Sequence, residues 1–391
     1  MRKRSAARCG AQTPQTQSPP SPPPPPNSQV DDWGHANVGF HRPPGFNETV
    51  TPNIDALASS GVILEQQYVH KYCSPTRSSL QSGRLPIHVN VLNADMSSWN
   101  PADPVSGFAG IPRNMTGISA VMKKGGYATH MFGKWDAGMA TPDHTPSGRG
   151  YDTSMIYFHH ANDYWTSVDD TLCKDGSRNI SITDLWWQPP GGAEGPATGQ
   201  NNSWQCAQDN QLPTCRYEDE IFLEQVLATI AAHDPATPFF LFWAPHIAHA
   251  PLQVPQAYVD KFAWIGADSK PRQMYAAMVN YVDDMTGRVV AALKAKGMWD
   301  NLLWASSADN GGVRLQCCSV PLSPHTESSA SLTRTLVTPP PSPLAAHLPE
   351  RCCGRQQLPH ARRENVQLAG RHSRECLRQR RPAAPRRARH H

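Results

Sequence analysis

From residue 31 to residue 312 the chain alternates segments of helical spacing with short apolar runs, which leaves few architectures open. Pro52 to Ser60 reads as a helix with a proline in its first turn and Gly61 just past its end. Ile118 to Lys124 reads as a second helix, closed by Gly125-Gly126, with a strand from Tyr127 to Phe132 behind it. Glu218 to Ala232 places Ile221, Phe222, Leu223, Val226, Leu227 and Ile230 on an apolar face. The run Phe239-Phe240-Leu241-Phe242-Trp243 then has the composition of a buried strand. Arg272 to Lys296 is a long helix leading into the apolar run Leu302 to Ala305. Strands separated by helices of this length need crossover connections. The expected fold is therefore α/β, with a mixed, largely parallel sheet flanked by helices.

The polar residues are placed to match. Lys134 follows the Tyr127–Phe132 run, His246 and His249 follow the next, and Asp309-Asn310 follow the last. Ligands of open α/β sheets bind outside the carboxyl ends of the strands, so three strands deliver reactive groups to one edge.

Charge divides the chain differently. Residues 1–30 carry +4 with no acid, and residues 313–391 carry +10 with fourteen Arg and no Lys. The stretch between them carries −10, so the basic pI belongs to the two ends. Residues 1–30 are polar and proline-rich, with Pro22 to Pro26 unbroken, and read as an extended, solvated segment. Ten cysteines are too few for a disulfide scaffold, although Cys206 and Cys215 flank a polar loop and could close a small one. Glycosylation sequons at Asn47, Asn114, Asn179 and Asn201 favour a secreted, extracellular or lysosomal product. No signal peptide is visible after Met1-Arg-Lys-Arg, and no apolar stretch is long enough for a membrane span.

Cys73 precedes Pro75, which opens a helical stretch that stops at Gly83. The cysteine should therefore sit at a helix N-terminus, where free N–H groups favour an anion, and Arg77 adds a planar cation one turn in. The longer run Cys73-Ser-Pro75-Thr-Arg77-Ser78-Ser-Leu80-Gln-Ser82-Gly83-Arg84 resembles the signature of the type I sulfatases. Asp31-Asp32-Trp-Gly and Asp309-Asn310-Gly-Gly resemble that family's two metal motifs, and Gly133-Lys134-Trp135 resembles its Gly-Lys-Trp-His-Leu-Gly element. His249 matches the histidine that contacts sulfate and the leaving oxygen, with His246 behind it. Thr145 to Asp152 and Asp163-Tyr164 look like the arylsulfatase B-type subgroup.

The resemblance implies an alkaline phosphatase-like fold lacking its C-terminal subdomain. It also implies a sulfuric ester hydrolase acting on sulfated carbohydrates or aryl sulfates. Cys73 would be oxidised to formylglycine by the formylglycine-generating enzyme, and its hydrate would be the nucleophile. Catalytic roles fall to Cys73, Arg77, Lys134, His249 and Asp136. A calcium ion would be held at Asp31, Asp32, Cys73, Asp309 and Asn310, hard oxygen donors for the most part.

Three departures favour an alternative, a catalytically impaired sulfatase-like protein. The family's histidine after Gly-Lys-Trp is Asp136, which adds negative charge beside a bound sulfate. The metal aspartates follow Pro-Asn-Ser-Gln-Val, so the first strand reads as nearly absent and Asp31-Asp32 as weakly supported. A second sulfate-binding lysine is missing, since residues 313–391 contain none. A phosphate-ester hydrolase on the same scaffold would carry Ser or Thr at the nucleophile, which argues against that third reading.

A one-base shift of codons for Arg355 to Arg374 can spell a segment that resembles the family's downstream region, its lysine straddling Glu364 and Asn365. Residues 313–354 are accordingly expected to be intron read-through and 355–391 an out-of-frame exon. An Arg-rich nucleic-acid arm is the rival reading of this tail. The segment lacks interleaved aromatics or a known module, so no specific nucleic acid is expected as a partner.

Overall fold

The computed structural model describes residues 27–89, 110–169, 181–200, 206 and 212–312. The strands of its main sheet are β1 (Asn27–Val30), β2 (Ala128–Lys134), β3 (Thr153–Tyr157), β4 (Trp186–Gln188), β5 (Gly195–Pro196), β6 (Phe239–Ala244) and β7 (Ala305–Ala308), and Val168–Asp169 pairs separately with Ile182–Thr183. The helices that matter to the site are α1 (Pro52–Ser60), α2 (Cys73–Ser82), α3 (Ile118–Lys124), α4 (Glu218–Ala232) and α5 (Lys270–Ala295). The seven strands form one sheet in the order β5-β4-β3-β2-β6-β1-β7. β3, β2, β6, β1 and β7 run parallel, and the β4–β5 hairpin adds the antiparallel edge. The mixed, largely parallel α/β sheet is as the sequence implied.

β6 explains why the sheet is buried on both faces. Phe239, Leu241 and Trp243 face a core shared with α4 and α5, including Phe222, Val226, Met278 and Val289. Phe240, Phe242 and Ala244 face the opposite core with Met131, Tyr151 and Ile156, against which Ile118 and Met122 of α3 pack. A central strand covered on both sides has no solvent face, hence its unbroken apolar run.

Two expectations need correction. The first strand is present: β1 lies inside the sheet, paired to β6 through Asn27–Phe242 and Ser28–Trp243 and to β7 from Asn27–Ala305 to Val30–Ala308. A four-residue polar strand persists because both of its backbone edges are bonded, and Ser28, Gln29 and Val30 are buried. Asp31 and Asp32 are thereby anchored, and Asn27–Val30, the end of the stretch read as a solvated segment, is a sheet strand. The last strand is Ala305–Ala308, not the apolar run Leu302 to Ala305. Leu302 and Trp304 pack on the core as side chains, while the small residues after them supply the ladder to β1.

Cys206 and Cys215 are joined in a disulfide. Asn47 and Asn114 are exposed, whereas Asn179 and Asn201 lie outside the described residues, as do residues 1–26 and the tail from 313. Among the described residues no helix is long and apolar enough to cross a membrane.

Candidate active site

Every parallel strand ends at the same edge and contributes there. β1 leads into Asp31-Asp32, β2 ends on Lys134 with Asp136 two residues on, and β3 leads to His160. β6 leads to His246 and His249, and β7 to Asp309-Asn310. α2 points its N-terminus at them with Cys73 as its first residue and ends on Gly83, whose φ of 67° is easily held by glycine. The placement of Lys134 depends on Gly133. At φ 103° that glycine passes so close to β6 that a Cβ would stand 1.9 Å from the carbonyl oxygen of Ala244.

The groups meet in a buried network. Lys134 Nζ lies 2.7 Å from Asp31 Oδ2, and Arg77 donates through Nε to Asp309 Oδ2 at 2.9 Å and through a terminal nitrogen to the Lys134 carbonyl at 3.0 Å. Cys73 Sγ is 3.6 Å from Asp31 Oδ1. Asn310 Nδ2 donates to Asp32 Oδ1 at 2.6 Å, and His249 Nε2 stands 3.5 Å from Asp32 Oδ2. His249 Nδ1 lies 2.6 Å from the Ala250 carbonyl, which can only accept, so Nδ1 carries the proton and Nε2 is the nitrogen turned to the site. Asp136 accepts from Ser74 Oγ at 2.7 Å and faces His160 Nδ1 at 3.0 Å. Asp32 and Asp136 both hold φ 47°, an unusual value for a non-glycine residue.

Burial governs the charges. It pushes the Cys73 thiol well above its ordinary value; nearby Lys134 opposes this, and Asp31, Asp309 and Asp136 reinforce it. The helix N-terminus therefore does not make this cysteine an anion: desolvation and three carboxylates outweigh the dipole. Burial also raises Asp309 to about 6, with Asp31 adding to the effect and Arg77 opposing it. Desolvation favours loss of the Lys134 and Arg77 protons, but Asp31 at Lys134, and Asp309 with Asp31 at Arg77, more than reverse it and hold both cations charged.

The arrangement matches what a divalent cation needs. Asp31, Asp32, Cys73 and His249 each offer an atom within 4.8 Å of the others. Asn310 Oδ1 is buried without a hydrogen-bond partner, an amide oxygen suited to a hard cation. Asp31, Asp32 and Asp309 outnumber Arg77 and Lys134 by one charge, which leaves this group net negative and favours a cation.

The sulfatase family model matches residues 28–335. The chain belongs to the sulfatase family. It is 32% identical over 283 residues to arylsulfatase J of Mus musculus, covering 72% of this chain and 42% of that one. To N-acetylgalactosamine-6-sulfatase of Homo sapiens it is 27% identical over 287 residues, 72% of this chain and 48% of the relative. The crystal structure of Ps i-CgsB in complex with k-i-k-neocarrahexaose matches with a TM-score of 0.57 at 28% identity, over 75% of this chain and 59% of that one. The chain spans about half the length of the curated relatives it matches.

Within this sulfatase fold some site-supporting residues had no signal in the sequence. Glu218 and Asp219 read only as acidic residues in the first turn of α4. Folded, both are fully buried: Glu218 meets His246 Nδ1 at 2.9 Å, and Asp219 accepts the N–H groups of His246 and Ile247. Desolvation raises Asp219 to about 7 despite those two N–H bonds and keeps His246 uncharged. His246 is thus fully buried beside His249, with 6.0 Å between the ring centroids. His160 likewise lies in no motif that marks it in the sequence.

Proposed function

We propose that this protein hydrolyses sulfate esters of carbohydrates or aryl alcohols after oxidation of Cys73 to formylglycine, with calcium bound beside it. The observation that carries this reading is Cys73 Sγ at 3.6 Å from Asp31, at the first turn of α2, among the Arg77 and Lys134 cations and His249. The carbohydrate class is supported by the N-acetylgalactosamine-6-sulfatase relatives and by the neocarrahexaose complex of Ps i-CgsB. A secreted or lysosomal location fits the exposed sequons at Asn47 and Asn114.

The raised Cys73 thiol is a poor nucleophile as it stands. Its oxidised form, hydrated, would supply one hydroxyl to attack sulfur and a second to expel the bound sulfate, chemistry a thiol lacks. Asp31, Asp32, Asp309 and Asn310 would hold the calcium ion, which would add positive charge against the sulfate oxygens. Arg77 and Lys134 fix the cationic wall of the pocket, since each is pinned by a buried carboxylate. His249, its Nδ1 proton committed to Ala250, has Nε2 available to exchange a proton with the leaving oxygen.

The test is to co-express the chain with a formylglycine-generating enzyme and follow the peptide spanning Cys73 by mass spectrometry. Sulfate release from 4-nitrophenyl sulfate and from a 6-sulfated N-acetylgalactosamine is then measured. Conversion with turnover that Cys73→Ala abolishes is the expected result. A converted protein that releases sulfate from neither compound overturns the proposal.

A further inference from the structure

Asp136 is fully buried, and both of its oxygens are engaged. Oδ1 accepts the Ser74 hydroxyl at 2.7 Å, Oδ2 faces His160 Nδ1 at 3.0 Å, and Lys134 Nζ is 3.9 Å away. Burial alone would raise its pKa, but His160 first, and then Lys134 and Ser74, bring it below the usual carboxylate value. An ionised Asp136 can only accept, so it holds the Nδ1–H tautomer of His160 and leaves Nε2 as the ring's remaining group. That Nε2 is buried and has no hydrogen-bond partner. Nε2 of His246 is in the same state, so what sets His160 apart is its place beside the residue that follows Cys73.

The ring is anchored next to the nucleophile position, because its Nδ1 is also 3.3 Å from Oγ of Ser74, the residue after Cys73. The neighbouring imidazoles face other carboxylates. His246 is bound to Glu218, His249 Nε2 faces Asp32, and His159 is held by Asp184.

We infer that His160, held by Asp136, is the imidazole that serves the bound sulfate in this site, so that Asp136 and His160 act together where related motifs place a single histidine. Asp136 alone would repel an anionic ester. With Asp136 accepting its Nδ1–H, the His160 ring stands between that carboxylate and the ester and turns Nε2, the nitrogen that can take up a proton and pass it on, to a sulfate oxygen. The inference rests on the sulfate-ester reading above, so its test has an arm that needs no turnover.

In the full chain with 15N-labelled histidines, long-range proton–nitrogen spectra are expected to show neutral His160 protonated on Nδ1. Asp136→Ala should release this tautomer. Inorganic sulfate is expected to shift the His160 Nε2 resonance and to leave His246 unmoved. In formylglycine-converted protein, His160→Gln should lower kcat/KM for 4-nitrophenyl sulfate by about 100-fold. Adding Asp136→His to that variant, which returns an imidazole to position 136, should recover about tenfold or more. A His160 ring that ignores sulfate overturns the inference, and so does a His160→Gln variant within about threefold of the parent. If the parent converts no sulfate ester, the hydrolytic reading falls alone and the sulfate titration still decides the role of His160.

Discussion

Arg77 has no exposed surface, and its guanidinium joins Asp309 at 2.8 Å while its terminal nitrogen lies 3.8 Å from Asp31. Removing it strands two buried carboxylates. Arg77→Met should therefore destabilise the fold by about 3 kcal/mol or more, read from urea unfolding, even though Met fills similar space. His130 poses the opposite problem, a base that burial, and then His233, hold near pKa 4. The folded state keeps this ring neutral while the unfolded chain protonates it below roughly pH 6.5. Its contribution is thus complete above that pH and is lost as pH falls toward 4, by about 3 kcal/mol at full burial. Urea unfolding at pH 7 and pH 4.5 should show a shallower pH dependence for His130→Gln than for the parent. Both residues are plain in the sequence, but neither role is. Nothing near Arg77 in the chain announces Asp309, and Asp136 and His160 are joined only because β2 and β3 are parallel neighbours.

Elements were more legible than residues. Helices α1, α3 and α4 occupy the spans expected from their spacing and punctuation, because each buries one stripe and ends at glycine or a break. β1 leaves little trace in the sequence because a strand bonded on both edges needs little help from its side chains. The close approach of β2 to its parallel neighbour β6 at Ala244 is marked in the sequence by Gly133 alone, and only the folded pair shows why. Gly133→Ala would force a Cβ into the Ala244 carbonyl at a positive φ, so β2 must shift or the turn must open. A loss of about 3 kcal/mol or more is expected in chemical denaturation. In a converted enzyme the same change should lower kcat through the displaced Lys134.

At the scale of the whole molecule the site concentrates negative charge that the fold alone does not balance. Calcium added to the full chain should raise the unfolding midpoint, by about 2.7 kcal/mol of stabilisation at a hundredfold excess over Kd, or roughly 5 °C or more. Asp31→Asn combined with Asp32→Asn should abolish the rise, and an unmoved midpoint in the parent would count against a calcium site. A second whole-molecule feature is the exposed run around Val62, Ile63, Leu64 and Tyr68, of which Val62 is 87% exposed. Apolar surface of this kind favours association. Sedimentation should show concentration-dependent self-association that Val62→Lys with Leu64→Glu reduces.

By itself the sequence determined the α/β class, the strand edge that carries the chemistry and the family, since periodicity and contiguous motifs are local properties of the chain. Only the tertiary structure decided the ionisation of Cys73, the support beneath Asp31 and Asp32, and the pairing of Asp136 with His160. Those depend on desolvation and on contacts between residues far apart in sequence, which no local pattern encodes.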